Sequence, residues 1–288
     1  MAGKRTILIT GATGKQGGAT LRYLAKHGGF ALRAMTRHPD GEAAKALKKL
    51  GAEVVVGDLN DAASLERAIA GAWGVFGVQN TWEAGVAGEE EQGKRLVQVA
   101  RAKGVEHFVY TSVGSANRST GIPHFDNKYR IEMTLKAAGF PSYTIIRPVF
   151  FMENLPSPWF LQGDTLVTAM KPTTKLQMIA ADDIGKFGAA AFVDAAKHKN
   201  EEVDIAGDSA TMLQAADAVS QIVGRKVTFQ PIPIEAVRKN SEDFALMLEW
   251  FERVGYSADI PGVEKRWGIH CLTLREWVAA QKAGSVSV

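Results

Sequence analysis

The sequence predicts an α/β fold in which a doubly wound parallel sheet is followed by a smaller C-terminal α+β lobe. Three observations lead to this prediction. A β-branched strand near the N-terminus breaks directly into three spaced glycines and a helix. Short apolar segments then alternate with helical segments as far as Pro148, which is typical of right-handed strand–helix–strand crossovers. Beyond Pro148 this alternation loosens and prolines recur.

The first predicted elements are a buried strand over residues 4–10 and a helix over residues 17–27, joined by a turn that carries Gly11, Gly14 and Gly17. In a dinucleotide site the first glycine permits the tight turn, the second admits a pyrophosphate close to the backbone, and the third lets the helix pack on the strand. The spacing is one residue wider than in the common G-x-G-x-x-G fingerprint. The order of strand, turn and helix nevertheless predicts a Rossmann-like dinucleotide site.

The remaining elements before Pro148 are predicted from apolar periodicity, helix caps and glycine breaks. The predicted strands cover residues 30–36, 53–56, 74–78, 105–111 and 142–147. The predicted helices cover residues 41–50, 62–70, 89–103 and 124–138. Acidic residues fall in the predicted first turn of the helix over residues 89–103, where the helix macrodipole favours them. These elements form the predicted dinucleotide-binding domain, residues 1–148.

Residues 149–288 are predicted to form the smaller lobe, which holds a substrate or a partner. Residues 149–180 contain prolines and aromatic residues, so an irregular segment over the cleft is expected there. A strand over residues 202–206 is expected to rejoin the main sheet, which assigns about residues 180–206 to that sheet. Capping boxes and apolar periodicity predict the remaining elements, namely helices that begin at Thr211 and Thr273, a strand over residues 227–231 and a helix over residues 235–253.

The composition is that of a protein with a large core. Of the 288 residues, 46% are hydrophobic and 23% are charged, and no apolar run could span a bilayer, so no membrane association is expected. The net charge is +3, from 34 basic and 31 acidic residues that are dispersed, which does not suggest direct nucleic-acid binding. Because the first strand begins within a few residues of Met1, a cytoplasmic location is predicted. Cys271 is the only cysteine, which excludes disulfides and cysteine-based zinc sites.

The end of the second predicted strand indicates which dinucleotide is bound. An NAD site usually has Asp or Glu there, whereas an NADP site has an arginine. The sequence reads Thr36, Arg37, His38, with no carboxylate before Asp40. The planar guanidinium of Arg37 offers paired donors to a 2′-phosphate, and Lys15 adds a second cation in the glycine loop. NADP(H) is therefore the predicted cofactor, and the alternative is that Arg37 is a solvated residue at a strand end.

Two further groups of residues follow predicted strands and are expected to contact the cofactor. Ligands of such sheets bind outside the carboxyl ends of the parallel strands. By this rule Asp58 and Leu59 are expected beside the adenine. Gln79, Asn80 and Thr81 are expected beside the ribose and pyrophosphate.

Six segments, in family order and spread over more than half of the chain, make the sequence similar to the NmrA-like family of atypical short-chain dehydrogenases/reductases. The segments are residues 11–17, 36–37, 57–59, 92–94, 124–128 and 147–154. The resemblance implies NADP(H) binding through Arg37 and the glycine loop, and contact of Lys128 with the nicotinamide end. The other residues that it implies are Gly11, Thr13, Gly14, Lys15, Gln16 and Gly17 in the loop, and Pro148, Phe151 and Asn154 in the last segment.

The predicted catalytic residues depart from the pattern of ordinary short-chain reductases, which use Ser, Tyr and Lys with the last two spaced Y-x-x-x-K. Lys128 matches the lysine, but His124 stands at the tyrosine position, and Thr111 and Ser112 match the serine. An imidazole can donate a proton near neutral pH, so His124 and Lys128 are the candidate catalytic residues. The alternative is a structural His124 at the helix start, hydrogen-bonded to loop backbone.

No metal site is predicted. Asp182 and Asp183 resemble a helix start of this family, with an aspartate as the cap. No neighbouring residue supplies the spacing of a metal-ligand set.

Three functions are consistent with these residues. The first, which the missing tyrosine favours, is a redox-sensing regulator that responds to the cofactor state and acts on a protein partner. The second is an NADPH-dependent reductase of a hydrophobic quinone, enone, imine or dye-like acceptor, with Phe150, Phe151, Trp159 and Phe160 as pocket or core residues. The third, an epimerase-like enzyme of nucleotide sugars, is disfavoured by the absence of Tyr-x-x-x-Lys. Helix pairs beside such sheets often form dimers, so a homodimer is a further hypothesis.

Overall fold

The structure, a computed structural model, describes residues 3–284. Its strands are β1 (Thr6–Ile9), β2 (Ala31–Thr36), β3 (Glu53–Val56), β4 (Gly74–Gly77), β5 (His107–Thr111), β6 (Ser142–Pro148), β7 (Phe150–Phe151), β8 (Leu161–Gln162), β9 (Thr165–Thr168), β10 (Lys175–Ile179), β11 (Glu201–Ile205), β12 (Asp208–Thr211) and β13 (Thr228–Pro231). Its α-helices are α1 (Lys15–His27), α2 (Glu42–Lys49), α3 (Ala62–Ile69), α4 (Thr81–Ala102), α5 (Pro123–Ala137), α6 (Ala181–Val193), α7 (Met212–Val223), α8 (Ile234–Arg238), α9 (Glu242–Arg253), α10 (Ile260–Trp267) and α11 (Leu274–Lys282). No helix within residues 3–284 combines the length and the apolar character needed to cross a membrane.

The central layer is a seven-stranded sheet in the order β11-β6-β5-β4-β1-β2-β3. All of its neighbouring strands are parallel. The chain adds strands β2 and β3 on one side of β1 and strands β4 to β6 on the other, so the order of the strands reverses between β1 and β4. At such a point a crevice opens outside the carboxyl ends of the strands. The predicted doubly wound parallel sheet is confirmed, and the strand expected over residues 202–206 is β11, at one edge of the sheet.

Helices cover both faces of this sheet and bury its apolar side chains. Alternate residues of β1 enter opposite cores, Ile7 and Ile9 on the side of α1 and α6, and Leu8 on the side of α3, α4 and α5. Helices α1 and α6 pack closely because α6 carries Gly185, where an added Cβ would lie 2.4 Å from the Cβ of Ala19. Each large apolar side chain buried in this way contributes about 1.5–3 kcal/mol.

The C-terminal region adds a second core beside the carboxyl ends of the central strands. Two small sheets, β12-β10-β7 and β13-β9-β8, pack with α7, α9 and α11 around buried residues that include Trp277 and Phe251. Helices α7 and α11 begin in complete capping boxes at Thr211 and Thr273, as predicted. This region forms one wall of the cleft described below.

Several predicted elements are wrong in extent. Residues 149–180 are not irregular, because short strands β7 to β10 pair with one another and with β12 and β13. Helix α4 begins at Thr81 and not at residue 89, and Gly85 interrupts it with a φ of 72°. The helix predicted over residues 235–253 is divided into α8 and α9, because Ser241 caps a new helix start at Glu242.

The expected aspartate cap of α6 is also wrong. Ala180 occupies the cap position, and the two aspartates lie in the first turn. Asp182 accepts hydrogen bonds from Tyr23 and Arg22 of α1, at 2.5 Å and 3.1 Å. Asp183 is buried, pairs with Lys186 and accepts a hydrogen bond from a backbone N–H of the C-terminal region. Both side chains therefore join α6 to its neighbours.

Candidate functional site

One cleft, with a cavity volume of about 680 Å³, runs along the carboxyl ends of the central strands. It extends from the glycine loop between β1 and α1 to the region between α5 and α9. Every residue that the sequence assigns to the cofactor or to catalysis lines it, namely Gly11, Thr13, Gly14, Lys15, Gln16, Gly17, Arg37, Asp58, Leu59, Gln79, Asn80, Thr81, His124, Lys128, Pro148, Phe151 and Asn154. The fold thus brings these residues together, and their individual roles stay predictions.

The glycine loop has the geometry of an anion-binding turn. Gly11 has a φ of 55°, in the left-handed region that favours glycine. A Cβ on Gly17 would lie 2.5 Å from the carbonyl oxygens of Thr10 and Gly11, so the helix can approach the strand only without a side chain there. Gly14 occupies the cap position of α1, and no side chain caps this helix. The N–H groups of the first turn can therefore donate hydrogen bonds to an anionic ligand.

Two buried polar side chains in the cleft have no partner within the described part of the protein. Gln79, at the end of β4, is 7% exposed, and neither its Nε2 nor its Oε1 forms a hydrogen bond. Ser112, after β5, is 5% exposed and its Oγ is also unpaired. Both residues line the cleft. Because an unpaired buried polar group is costly, these atoms fit a ligand that carries both donors and acceptors.

Other predicted residues already have partners within the protein. Asn80 caps α4 by accepting a hydrogen bond from the N–H of Trp82 at 3.2 Å. Thr111 donates to Oε1 of Gln16 at 2.6 Å, which ties the end of β5 to the glycine loop. Asp58 accepts a hydrogen bond from the N–H of Asn60 at 2.8 Å. Of the two candidates for the serine position, Ser112 is therefore the one with a free hydroxyl.

Arg37 forms an ion pair with Glu83 across the rim of the cleft. The side chains are 51% and 53% exposed, so solvent screens the pair and its net contribution to stability is small. Glu83 lies in the first turn of α4, which precedes the helix predicted over residues 89–103. A dianionic group near Arg37 would compete with this single carboxylate for the guanidinium.

Lys128 is held by a buried carboxylate. Its Nζ lies 2.6 Å from Oε1 of Glu89, which is fully buried on α4 and also accepts hydrogen bonds from Thr81 and Asn127. Burial alone raises the pKa of Glu89, but the attraction of Lys128 and these hydrogen bonds together hold that pKa below its usual range. Glu89 is therefore the partner of a predicted cofactor residue, and its assignment to a first helix turn is wrong.

His124 is held by a carboxylate from the C-terminal region. Its Nδ1 lies 2.5 Å from Oδ2 of Asp243, although the two are not aligned as a regular hydrogen bond. The backbone N–H of His124 donates to Oδ1 of the same carboxylate at 2.9 Å. The ring lies 4.8 Å from that of Phe125 and 5.4 Å from that of Trp82 between centroids. The alternative in which His124 bonds to loop backbone is therefore wrong, because its partner is a side chain on α9.

Four aromatic residues, Trp82, Trp159, Phe160 and Phe244, form what we term the aromatic wall of the cleft. Trp82 lies 6.1 Å from both Trp159 and Phe244, and Phe160 lies 5.9 Å from Phe244. Trp82 and Trp159 are 56% and 70% exposed. The sequence indicates Trp159 and Phe160, with Phe150 and Phe151, as pocket or core residues, and all four line the cleft. Trp82 and Phe244, which also line it, come from other elements and are not predicted from the sequence.

Comparisons with known proteins agree with this architecture. The model of the NmrA-like family matches residues 3–281. A NmrA-like family domain-containing protein of Dictyostelium discoideum is 28% identical over 273 residues, covering 87% of this chain and 88% of that one. The NADPH-dependent quinone oxidoreductase QOR2 of Escherichia coli, solved with NADPH, superposes with a TM-score of 0.79 at 24% identity, over 95% and 98% of the two chains. NmrA, a negative transcriptional regulator solved with NAD, superposes with a TM-score of 0.78 at 20% identity, over 99% and 98%.

Proposed function

The chain belongs to the NmrA-like family, and on that basis we propose that it binds NADP(H) and reduces a flat hydrophobic acceptor such as a quinone or an enone. One observation carries this proposal. The imidazole of His124 and the aromatic wall line the same cleft as the glycine loop. A proton donor and an apolar surface thus lie along the cleft in which the cofactor would bind. Reduction of a small molecule would use this arrangement, whereas cofactor binding alone would not need it.

The residues of the cleft fit a dinucleotide. The uncapped first turn of α1 would receive the pyrophosphate, and the unpaired amide of Gln79 and hydroxyl of Ser112 would gain partners. Arg37 would bind the 2′-phosphate of NADP(H) after its release from Glu83. The structure of QOR2 with NADPH is consistent with this assignment.

The protein would supply orientation and a proton. When bound, a reduced nicotinamide supplies a hydride. The aromatic wall would bind one face of a planar acceptor and limit the access of water. Lys128, fixed by Glu89, would hold the nicotinamide end, and His124 would protonate the acceptor oxygen. The four side chains of the aromatic wall carry no charge themselves, which favours an acceptor with an apolar face.

A regulator that responds to NADP(H) is the second candidate, and the pairing of Arg37 with Glu83 favours it. A 2′-phosphate that takes Arg37 would free the first turn of α4, which carries the half-exposed Trp82. The surface at the rim of the cleft would then differ between the free and bound protein. The likeness to NmrA is consistent with this candidate.

Turnover distinguishes the two candidates. We expect the wild-type protein to oxidise NADPH in the presence of simple quinones or enones, measured by the loss of NADPH absorbance. Absence of turnover across quinones, enones, imines and dyes would favour the regulator, provided that NADPH binds tightly. In that case NADPH is also expected to protect residues 149–180 from proteolysis, since these residues contribute to the cleft.

The cofactor preference has its own test. We expect Arg37→Ala to weaken NADPH binding about 10- to 100-fold and to leave NADH binding nearly unchanged, because only NADPH carries the 2′-phosphate. Isothermal titration with both nucleotides measures this difference. Arg225→Ala is the matched control, since Arg225 is an equally exposed arginine paired with Asp164 outside the cleft. Equal losses for the two nucleotides would contradict the assignment of Arg37.

A further inference from the structure

We infer that Asp243 is a positioning residue that holds the imidazole of His124 with Nε2 directed to the cleft, so that this nitrogen donates the proton. The inference deepens the proposed function and rests on it for the catalytic step. His124 lies on α5 and Asp243 lies on α9, so the C-terminal region would contribute the residue that orients the proton donor. The two residues are 119 positions apart in the sequence.

The carboxylate of Asp243 lies at the first turns of two helices. Ser241 caps α9, which places Asp243 in the first turn of its own helix. Its Oδ1 accepts the hydrogen bond from the N–H of His124, which is in the first turn of α5. The positive ends of both helix dipoles therefore favour the charged carboxylate. A charged carboxylate, in turn, favours a proton on the imidazole nitrogen that faces it.

The contacts around the ring leave Nε2 as the nitrogen that serves the cleft. Nδ1 faces Oδ2 of Asp243 at 2.5 Å, and the ring packs edge-on against Phe125. The side chain is 9% exposed and lines the cleft beside Trp82. Lys128 lies one helical turn further along α5, and Glu89 compensates its charge. The imidazole is thus oriented by a carboxylate on one side and by rings on the other.

The hydride that a bound reduced nicotinamide would supply adds to the acceptor, which gains two electrons and carries an oxyanion, while the nicotinamide is oxidised. The proton on Nε2 of the imidazolium of His124 moves to this oxygen, an O–H bond forms, and the N–H bond breaks. The ring becomes neutral and keeps its proton on Nδ1, toward Asp243. A proton from the solution then returns to Nε2, so that each reduction consumes one hydride and one solvent proton.

A purely structural role is the competing explanation. Asp243 accepts a hydrogen bond from the N–H of His124 in the first turn of α5, and loss of this bond alone would destabilise the helix start. Asp243→Asn separates the two roles, because an amide oxygen can still accept from that N–H while the negative charge is lost. In this variant an amide N–H would face Nδ1. Nδ1 would then accept a hydrogen bond, which favours the opposite tautomer, with the proton on Nε2. Glu242→Gln is the matched control, since Glu242 is the neighbouring carboxylate and pairs with Arg238.

The first experiment reads the tautomer directly and needs no turnover. ¹⁵N spectra of histidine-labelled protein, recorded in mildly alkaline buffer, contain the signals of six histidines. The signals that are missing from the spectrum of His124→Gln belong to His124. We expect a protonated Nδ1 in the wild type and in Glu242→Gln, and a protonated Nε2 in Asp243→Asn. A wild-type ring with the proton on Nε2, or a tautomer that Asp243→Asn leaves unchanged, would overturn the inference.

The second experiment is a double-mutant cycle on the rate of NADPH oxidation. His124→Gln is expected to lower kcat about 100-fold with little change in KM, and Asp243→Asn to lower it by a smaller factor. In the His124→Gln background Asp243→Asn should then have no further effect. Independent, multiplying losses would assign Asp243 a structural role only. If the tautomers are as expected and the wild type reduces no acceptor, the proposed reduction is wrong while the orienting role of Asp243 stands.

Discussion

Gly17→Ala is expected to weaken NADPH binding about 10- to 100-fold and to lower the free energy of unfolding by about 1–3 kcal/mol. The new Cβ would lie 2.5 Å from two backbone carbonyl oxygens, those of Thr10 and Gly11. Backbone atoms cannot rotate away as a side chain can, so α1 must move off β1. The N–H groups of its first turn then no longer lie where the pyrophosphate is proposed to bind. Calorimetric titration and urea unfolding measure the two effects.

Gly3→Ala is the control for this change, because no atom of the described residues 3–284, apart from its chain neighbour, lies within 4 Å of a Cβ at Gly3. It should leave both measurements unchanged. A Gly17→Ala protein with wild-type affinity and stability would contradict the close approach of helix and strand. A protein that loses stability but keeps its full affinity would show instead that the dinucleotide does not bind at the first turn of α1.

Lys128→Met is expected to lower the free energy of unfolding by about 3–5 kcal/mol and to abolish NADPH oxidation. Lys128 is the only cation that the structure places in contact with the buried Glu89, within residues 3–284. Removal of the lysine leaves a charged carboxylate in the interior, supported only by the neutral donors Thr81 and Asn127. Urea unfolding and the rate of NADPH oxidation measure the two losses.

The double variant Lys128→Met, Glu89→Gln separates stability from function. A neutral amide at residue 89 no longer carries an uncompensated charge, so most of the lost unfolding free energy should return. Turnover should not return, because the cation proposed to hold the nicotinamide end is still absent. Recovery of turnover together with stability would assign Lys128 to the fold alone and remove it from the proposed mechanism.

The sequence predicts the central sheet well because its signals are local. The strands up to β6 are short, largely apolar runs, and each one before β6 is followed by a helical segment. The cofactor residues follow from the same order, since the carboxyl ends of parallel strands meet at one edge. Gln79 and Arg37 could thus be placed in a cleft without knowledge of any contact.

The residues that the sequence did not predict act through contacts between distant segments. Glu89 and Lys128 are 39 positions apart, and no periodicity links them. In the sequence Asp243 is an acidic residue within the predicted helix over residues 235–253, and only the packing of α9 on α5 brings it to His124. The start of α4 was hidden by the glycines at positions 85 and 88, which weaken any helical pattern. Glu83 and Trp82 were missed for this reason.

A single turnover tests the central claim, that this cleft reduces an acceptor with a proton from His124, most directly. Wild-type protein loaded with one equivalent of NADPH is mixed with an excess of a quinone, and the fluorescence of bound NADPH is followed. We expect its complete loss in the wild type and a loss about 100-fold slower in His124→Gln at unchanged NADPH affinity. Fluorescence that persists in the wild type with every acceptor, while NADPH stays bound, would contradict the account.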